Sequence, residues 1–386
     1  MAFLFKTMPE TIYMILIVIV FVVATSVLFA CLSKRFEKSV KGKEIEESEK
    51  RPLVSILIPT YNSEKVISKT LESIKNSNYP NKEVIVINDT DDKTPEIAKS
   101  FGAKVIQNTK RMGKGYALNV GSKKAMGEFL LFLDSDAVLE KDTLSKLVFS
   151  YYHHKKTDPK TVMIVPEYTA NNQHILPAKI SHLEQCTHQS WIKAQMNLGS
   201  ILSIRGSCLL LPKTVFEEIE GFKSTVLEDG DFAARIQKAG YTIKYEPRAC
   251  VGIAEPETFR EFLRAKKRYG KGTLFCALRH KGTYLGSRHA ALSFYPGFLI
   301  IAATILFLIT TPAINLAVTI ALLLLIPALA GLHIKFTSKN MSHNDHYVKI
   351  MSISLMPVII AAYLWGVASG TRDKLTGKPE IKFQDW

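Results

Sequence analysis

Short apolar, β-branched runs alternate with segments of helical period between residues 52 and 134. Runs of this kind predict strands, and the 3.6-residue spacing of apolar positions between them predicts helices. The predicted strands cover residues 54–59, 83–87, 104–106 and 129–133. Strands that alternate with helices are typical of a parallel α/β sheet. A further helical pattern covers residues 175–202.

Four apolar segments are much longer than these strands. They span Ile12–Leu32, Ala290–Thr310, Ala313–Leu332 and Ile350–Ser369. Each is about as long as the hydrocarbon core of a bilayer requires, so the sequence predicts four transmembrane helices. The first is too long for a signal peptide, and basic residues follow it rather than precede it.

Charge sets the predicted orientation of these helices. The chain carries a formal net charge of +15, and a basic cluster from Lys34 to Lys43 follows the first apolar segment. Basic loops stay in the cytoplasm, which places residues 33–289 inside and both termini outside. The basic tail, with Arg372 and Lys374, favours the opposite side. A break at Pro357 that makes the last segment re-entrant would keep the tail inside.

The predicted domain order follows from these segments. It comprises an N-terminal transmembrane anchor (1–33), a charged linker (34–51), a cytoplasmic α/β domain (52–257), a basic amphipathic interfacial segment (258–289), three transmembrane helices (290–369) and a polar tail (370–386).

Composition argues against several other classes. The five cysteines are scattered and lack a C-x-x-C pair, which disfavours a zinc site or a disulfide framework. Much of the positive charge lies beside predicted membrane helices, where the positive-inside rule explains it, and we expect no nucleic-acid partner. A polyanion-binding membrane protein stays an alternative class.

Polar residues follow three of the predicted strands. They are Thr60-Tyr61-Asn62, Asp89 and Asp134-Ser135-Asp136. Ligands of parallel sheets bind beyond the carboxyl ends of the strands, so these residues are expected to share one crevice. Strand alternation would put Asp134 and Asp136 on one side, where two carboxylates can hold a divalent cation and a diphosphate.

These motifs, with Gly113-Lys114-Gly115-Tyr116-Ala117-Leu118-Asn119, resemble the family 2 glycosyltransferases of the GT-A fold over residues 52–272. The resemblance implies a mixed, mostly parallel sheet with flanking helices. It implies that Thr60, Tyr61, Asp89 and Lys114 bind the nucleotide of the donor.

The same resemblance implies a metal site for Mg²⁺ or Mn²⁺. Asp136 would ligate the cation, and Asp134 would serve both the metal and the donor ribose. The acidic turn after the second strand is about one residue shorter than in the family, so Asp91 is an alternative to Asp89.

The segment Leu227–Arg235 is similar to the E-D-x-D/E-L-x-x-R motif of that family. The resemblance implies that Asp229 is the general base and that Glu228 orients the acceptor or the base. Asp231, in the same turn, complements the helix dipole. Gly206, in a small-residue turn, would lie close to the acceptor sugar.

Residues 265–272 resemble the Q-x-x-R-W-x-x-G motif of the polysaccharide-synthesising members, with Ala265 and Tyr269 in place of Gln and Trp. By this match Arg268 binds the donor diphosphate and Tyr269 stacks on the acceptor sugar. Alternatively, the stretch is a basic amphipathic helix on anionic lipid.

The predicted function is therefore a membrane-anchored, inverting, metal-dependent glycosyltransferase of the cell membrane. Its partners would be a nucleotide-sugar donor, a lipid-linked or saccharide acceptor, and membrane lipid. A processive synthase that exports its polymer and an inactive scaffold are the alternatives. The sequence leaves the oligomeric state open, and a homo-oligomer is one alternative.

Overall fold

The computed structural model describes residues 28–43 and 49–280, apart from 29, 109–110, 112, 198, 202–203 and 224–226, and also residues 365, 368, 369 and 372. The predicted membrane segments 290–310 and 313–332 lie outside the described residues, as do most residues of segments 12–32 and 350–369. No helix in the described part of the chain is both long and apolar enough to cross a membrane.

Eight strands and nine helices make up the fold of the described residues between 30 and 280. The strands are β1 (Val54–Thr60), β2 (Lys82–Asn88), β3 (Lys104–Gln107), β4 (Phe129–Leu133), β5 (Val138–Leu139), β6 (Thr161–Ala170), β7 (Cys208–Pro212) and β8 (Thr242–Ile253). Residues 30–40 form helix α1. The other helices are α2 (Ile67–Lys75), α3 (Thr94–Ser100), α4 (Lys114–Lys124), α5 (Thr143–Thr157), α6 (Leu176–Met196), α7 (Lys213–Glu218), α8 (Glu228–Lys238) and α9 (Phe259–Arg279).

All eight strands belong to one sheet, in the order β3-β2-β1-β4-β7-β6-β8-β5. Strands β3, β2, β1 and β4 are mutually parallel, and β6 is parallel to β8. β7 is antiparallel to β4 and β6, and β5 is antiparallel to β8. The prediction of a mixed, mostly parallel sheet is confirmed.

Side-chain alternation along the central strands fills two cores, one on each face of the sheet. In β4, Phe129, Leu131 and Leu133 pack on one face, while Leu130 and Phe132 pack on the other. Helices α2, α3 and α5 cover the first face. The second is covered by α1, α4, α6, α7 and α8. All five β4 side chains are buried, which is why the strand reads as a continuous apolar run.

Four phenylalanines on the second face fix the position of α8. Phe222 contacts Phe132 and Phe232, with ring centroids 5.0 and 4.8 Å apart, and Phe216 lies against all three. Asn119 holds the same corner, since its Oδ1 accepts from Phe222 N at 2.9 Å and its Nδ2 donates to Phe222 O at 2.7 Å. The start of α8 is thus packed firmly against β4.

Candidate active site

The carboxyl ends of β1 and β2 meet at one edge of the sheet. The hydroxyl of Thr60 is buried and lies 2.8 Å from Asn88 Oδ1, and Thr60 O accepts from Asp89 N at 3.0 Å. Thr60 therefore joins the two strand ends, with its hydroxyl directed to Asn88. The prediction that it contacts the nucleotide stays a prediction.

Tyr61 is the exposed aromatic residue at this edge, with 44% of its surface accessible. The guanidinium of Arg111 lies 3.8 Å from the centroid of its ring. An arginine over an aromatic face is a cation–π contact. Sequence reasoning missed Arg111, which no motif singles out.

Asp89 lies at the base of the crevice. Its Oδ1 accepts from Asn108 Nδ2 at 2.6 Å and its Oδ2 from Gly113 N at 3.3 Å. Gly113 has a φ of 89°, a left-handed conformation that favours glycine. Asp89 is buried at this junction, whereas Asp91, the alternative, is exposed.

Asp134 and Asp136 lie in the turn that connects β4 to β5. Asp134 O accepts from Ala137 N at 3.1 Å, so the chain turns back instead of continuing as an extended strand. This corrects the prediction from strand alternation: a turn brings the two carboxylates together. Burial, together with the charge of Asp134, raises the pKa of Asp136 to about 6.

Lys114 connects this turn to the start of α8. Its Nζ lies 2.5 Å from Asp134 Oδ1 and 3.9 Å from Glu228 Oε1, and it donates to Gly206 O at 2.9 Å. Burial alone would lower the pKa of Lys114, but the charges of Asp134 and Glu228 outweigh it and raise that pKa. The ammonium group is the cationic centre of the site.

Glu228 and Asp229 form the first turn of α8. The residue before them, Leu227, has a φ of 64°, which is a strained conformation for a non-glycine residue and is typical of functional sites. Burial raises the pKa of Glu228 to about 7, against the opposing effect of the Lys114 ammonium group, and the negative charge of Asp229 adds to the rise.

Gly206 is in direct contact with Asp229. Its N–H donates to Asp229 Oδ2 at 2.8 Å, and Asp229 Oδ1 accepts from Gly230 N at 2.8 Å. A Cβ at position 206 would lie 2.9 Å from Asp229 Cβ. Glycine is required here by this close approach, and the Asp229 carboxylate is held by two backbone donors.

Arg205 borders the same turn and was not assigned a role from the sequence. Its Nη1 donates to Gln185 Oε1 at 2.8 Å and to Glu255 Oε1 at 3.1 Å. Its charge lowers the pKa of Asp136, and the charges of Glu255 first and Tyr269 second raise the pKa of Arg205 against the effect of burial. Arg205 contacts residues that are 20 and 50 positions away in the sequence, and no local sequence pattern predicts such contacts.

Arg268 and Tyr269 lie on α9. Tyr269 has 37% of its surface accessible, and the Arg268 guanidinium lies 5.6 Å from its ring centroid. Both side chains are exposed on the helix. Their predicted contacts with diphosphate and acceptor sugar stay predictions.

The residues present fit a cation that is completed by substrate. Among the residues that the structure describes, no group of three or more His, Cys, Asp or Glu side chains could form a metal cage. Asp134 and Asp136 supply two carboxylates, and burial, with the charge of Asp134, raises the pKa of Asp136. Magnesium in phosphate-transfer sites is commonly bound through one or two carboxylates with substrate phosphates and water.

The mixed sheet, with its crevice at the ends of β1, β2 and β4, defines a GT-A-like α/β fold. Residues 55–219 match the family model described as glycosyl transferase family 2.

Two curated relatives extend this likeness. The chain is 29% identical over 268 residues to a poly-beta-1,6-N-acetyl-D-glucosamine synthase of Staphylococcus epidermidis, covering 67% of this chain and 63% of the relative. It is 29% identical over 259 residues to the probable glycosyltransferase YdaM of Bacillus subtilis, covering 63% and 60%. The match thus spans less than two thirds of either relative.

A solved structure shares the fold. The mannosyltransferase PcManGT from Pyrobaculum calidifontis, in complex with GDP-Man and Mn²⁺, aligns with a TM-score of 0.64 at 19% identity. The alignment covers 93% of this chain and 99% of that one.

Proposed function

We propose that this protein is a membrane-anchored, inverting glycosyltransferase. It takes a sugar from a nucleotide-sugar donor, with a UDP-sugar as the first choice, and transfers it to a lipid-linked or polysaccharide acceptor at the cytoplasmic face of the cell membrane. The observation that carries the proposal is the Asp229 carboxylate, held by Gly206 N–H next to the cluster of Lys114 and Asp134.

The arrangement provides a base on one side and cationic groups on the other. The acceptor hydroxyl oxygen attacks the anomeric carbon and forms the new C–O bond, while Asp229 takes the hydroxyl proton. The bond from the anomeric carbon to the diphosphate oxygen breaks on the opposite face, and the nucleoside diphosphate leaves with the electron pair. Lys114 stabilises the negative charge on this leaving group.

A divalent cation, Mg²⁺ or Mn²⁺, would be held by Asp136 and Asp134 and would neutralise the diphosphate as a Lewis acid. Tyr61 and Asp89 would bind the nucleoside at the other end of the donor. Arg268 and Tyr269 would contact diphosphate and acceptor from α9.

Membrane placement is part of the proposal and is supported by the sequence. The apolar segments Ile12–Leu32, Ala290–Thr310, Ala313–Leu332 and Ile350–Ser369 have the length of membrane spans. The basic, partly aromatic exposed surface of α9 suits a position at anionic lipid.

Processive synthesis is the second candidate, because one relative is a polymer synthase. Under this alternative, UDP-N-acetylglucosamine is the donor to test first, and the growing polymer is the acceptor. The substitution of Gln and Trp of the family motif by Ala265 and Tyr269 favours the single-transfer reaction instead.

The test is transfer from a panel of radiolabelled nucleotide sugars by the full-length protein in membranes, with Mg²⁺ or Mn²⁺. We expect product with the cognate donor, and a kcat about 10²- to 10⁴-fold lower in Asp229→Asn, whose amide oxygen can still accept from Gly206 N. Asp158→Asn, which alters an ion pair with Lys244 elsewhere on the domain, is the matched control.

Three other results would each point elsewhere. A product ladder with one donor would establish processive synthesis over single transfer. Unchanged transfer by Asp229→Asn would remove the base assignment. No transfer with any donor, together with donor-independent binding of polyanions, would favour the non-enzyme class.

A further inference from the structure

Asp231 lies in the first turn of α8, two residues after Asp229. It is 2% exposed, and its two oxygens accept from three side chains. Arg235 Nε lies 2.9 Å from Oδ2, while Arg279 Nη1 and His280 Nε2 lie 3.2 and 2.9 Å from Oδ1. The sequence predicted only that Asp231 complements the helix dipole, a role that requires none of these three side chains.

Two of the three partners belong to a different element. Arg279 ends α9 and His280 follows it, so Asp231 joins the helix that carries Asp229 to the C-terminal end of α9. Arg235, one turn further along α8, also donates to Gly221 O at 2.6 Å. The loop before α8 and the end of α9 are thus tied to one buried carboxylate.

The segment that leads into α9 is connected to Asp229 through Arg205 and Gly206. Glu255, four residues before α9, pairs with Arg205 at 3.1 Å, and the neighbouring Gly206 N–H holds Asp229 Oδ2. Phe262 in the first turns of α9 is buried against Ile180 of α6. The segment before α9 and the C-terminal end of α9 are therefore bonded to neighbours of Asp229: Arg205 precedes Gly206, and Asp231 follows Asp229 by two residues on α8.

We propose that Asp231 is a positioning residue for Asp229, and that it acts by clamping α8 to Arg279 and His280 at the end of α9. The inference rests on the proposed function, in which Asp229 is the base. The oxygens of Asp231 are bonded to Arg235, Arg279 and His280. A buried carboxylate with three charged or polar donors holds its helix in one orientation, and misplacement of a base by about 1 Å can cost up to ~10²-fold in rate.

Four variants of the full-length protein test the proposal: Asp231→Asn, His280→Leu, His280→Gln and the control Asp158→Asn. We expect kcat to fall about 10- to 100-fold in Asp231→Asn and His280→Leu, with the donor KM and the Kd of the nucleoside diphosphate within about threefold. His280→Gln, whose amide N–H can donate to Asp231, should restore most of the rate. The control Asp158→Asn should keep the wild-type kcat.

Combination with Asp229→Asn gives a sharper measurement. If Asp231 acts only through Asp229, the double variant loses no more activity than Asp229→Asn alone. Additive losses, or equal losses of kcat and of donor binding, would overturn the proposal. So would an unchanged kcat in Asp231→Asn and His280→Leu.

Hydrogen exchange separates this proposal from the proposed function, because it needs no substrate. The clamp predicts faster exchange of the amides of residues 230–238 in Asp231→Asn and His280→Leu, and no change in Asp158→Asn. If the wild-type protein had no transferase activity, the proposed function would be wrong, and the hydrogen-exchange result alone would test whether Asp231 holds α8 to the end of α9. If the wild type is active and both variants keep its exchange rates and its kcat, the proposed role of Asp231 is wrong and the proposed function stands.

Discussion

Lys114 Nζ lies 2.5 Å from Asp134 Oδ1 and thereby connects the start of α4 to the turn after β4. The same ammonium group donates to Gly206 O and lies 3.9 Å from Glu228 Oε1. One cation thus contacts the predicted donor side and the predicted base side of the crevice. A divalent cation that binds Asp134 has to share this carboxylate with Lys114.

Replacement of Lys114 by Gln should therefore lower the Mn²⁺ concentration for half-maximal activity and raise the donor KM. Without the ammonium group, the site is more negative, so the Mn²⁺ concentration for half-maximal activity should fall. The donor KM should rise about 10- to 100-fold, because a charge-assisted hydrogen bond to the diphosphate contributes ~1.5–3 kcal/mol. Steady-state kinetics with varied metal and donor measures both, with Lys213→Gln as control. A parallel rise in both constants would contradict competition for Asp134.

The close approach of Gly206 and Asp229 predicts a cost for any side chain at position 206. In Gly206→Ala the new Cβ would meet Asp229 Cβ at 2.9 Å, so either the turn or α8 has to shift. We expect a lower kcat and a loss of ~1–3 kcal/mol in the free energy of unfolding. In an Asp229→Gly background, which lacks the opposing Cβ, the same substitution should cost less stability. An equal cost in both backgrounds would show that the contact is not the cause.

The exposed ring of Tyr61 should bind the donor by stacking on the base. Stacking of a base on an aromatic side chain contributes ~1–3 kcal/mol, so Tyr61→Leu should raise the donor KM about 5- to 100-fold. Tyr61→Phe keeps the ring and should leave KM nearly unchanged. Phe101→Leu, at the exposed end of α3, is the control. If Phe and Leu at position 61 behave alike, the ring does not contact the base.

Glu167 of β6 predicts a pH dependence of stability. It is buried with Lys193 Nζ 3.4 Å away and accepts from Tyr245, and Lys193 also pairs with Glu37 of α1. Burial raises the pKa of Glu167 from 4.5 to about 7, against the opposing effect of Lys193. The folded state therefore holds this proton more tightly than the unfolded state does.

Stability from this group is fully present below pH 4.5 and is lost as the pH rises to about 7. Denaturant unfolding at a series of pH values should show a smaller decline between these limits in Glu167→Gln than in the wild type. Glu217→Gln, on the exposed side of α7, should retain the wild-type slope. A Glu167→Gln curve parallel to the wild type would refute the raised pKa.

Local sequence patterns were enough to predict the strands that are buried on both faces of the sheet. β1, β2 and β4 appear as apolar runs because the cores on both sides of the sheet exclude polar residues from them. β6 and β8 do not have this signature. Glu167, Lys244 and Glu246 interrupt them, and the register between these strands shifts after Pro166. These polar side chains are tolerated because each has a charged partner: Asp158 pairs with Lys244, Lys193 with Glu167, and Arg248 of the same strand with Glu246.

Site residues that belong to a sequence motif could be predicted. Site residues that are brought together only by tertiary contacts could not. Asp89, Lys114, Asp134, Asp136, Glu228 and Asp229 were each expected from sequence, and the structure brings Lys114, Asp134 and Glu228 into direct contact. The turn at Asp134 was not expected, because it depends on one backbone hydrogen bond. Arg111 over Tyr61 and Glu255 against Arg205 arise only after distant segments pack together.

The position of β4 in the sheet also has a consequence for biosynthesis. β4 pairs with β1 on one side, but its other partner, β7, is translated only after α5, β6 and α6. Until Cys208–Pro212 leaves the ribosome, the nascent chain carries an unpaired strand edge of the sequence Phe-Leu-Leu-Phe-Leu. Such an edge promotes intermolecular strand pairing. Chains released by premature termination between β4 and β7 should therefore aggregate or require chaperones, whereas the finished domain keeps this strand in its interior.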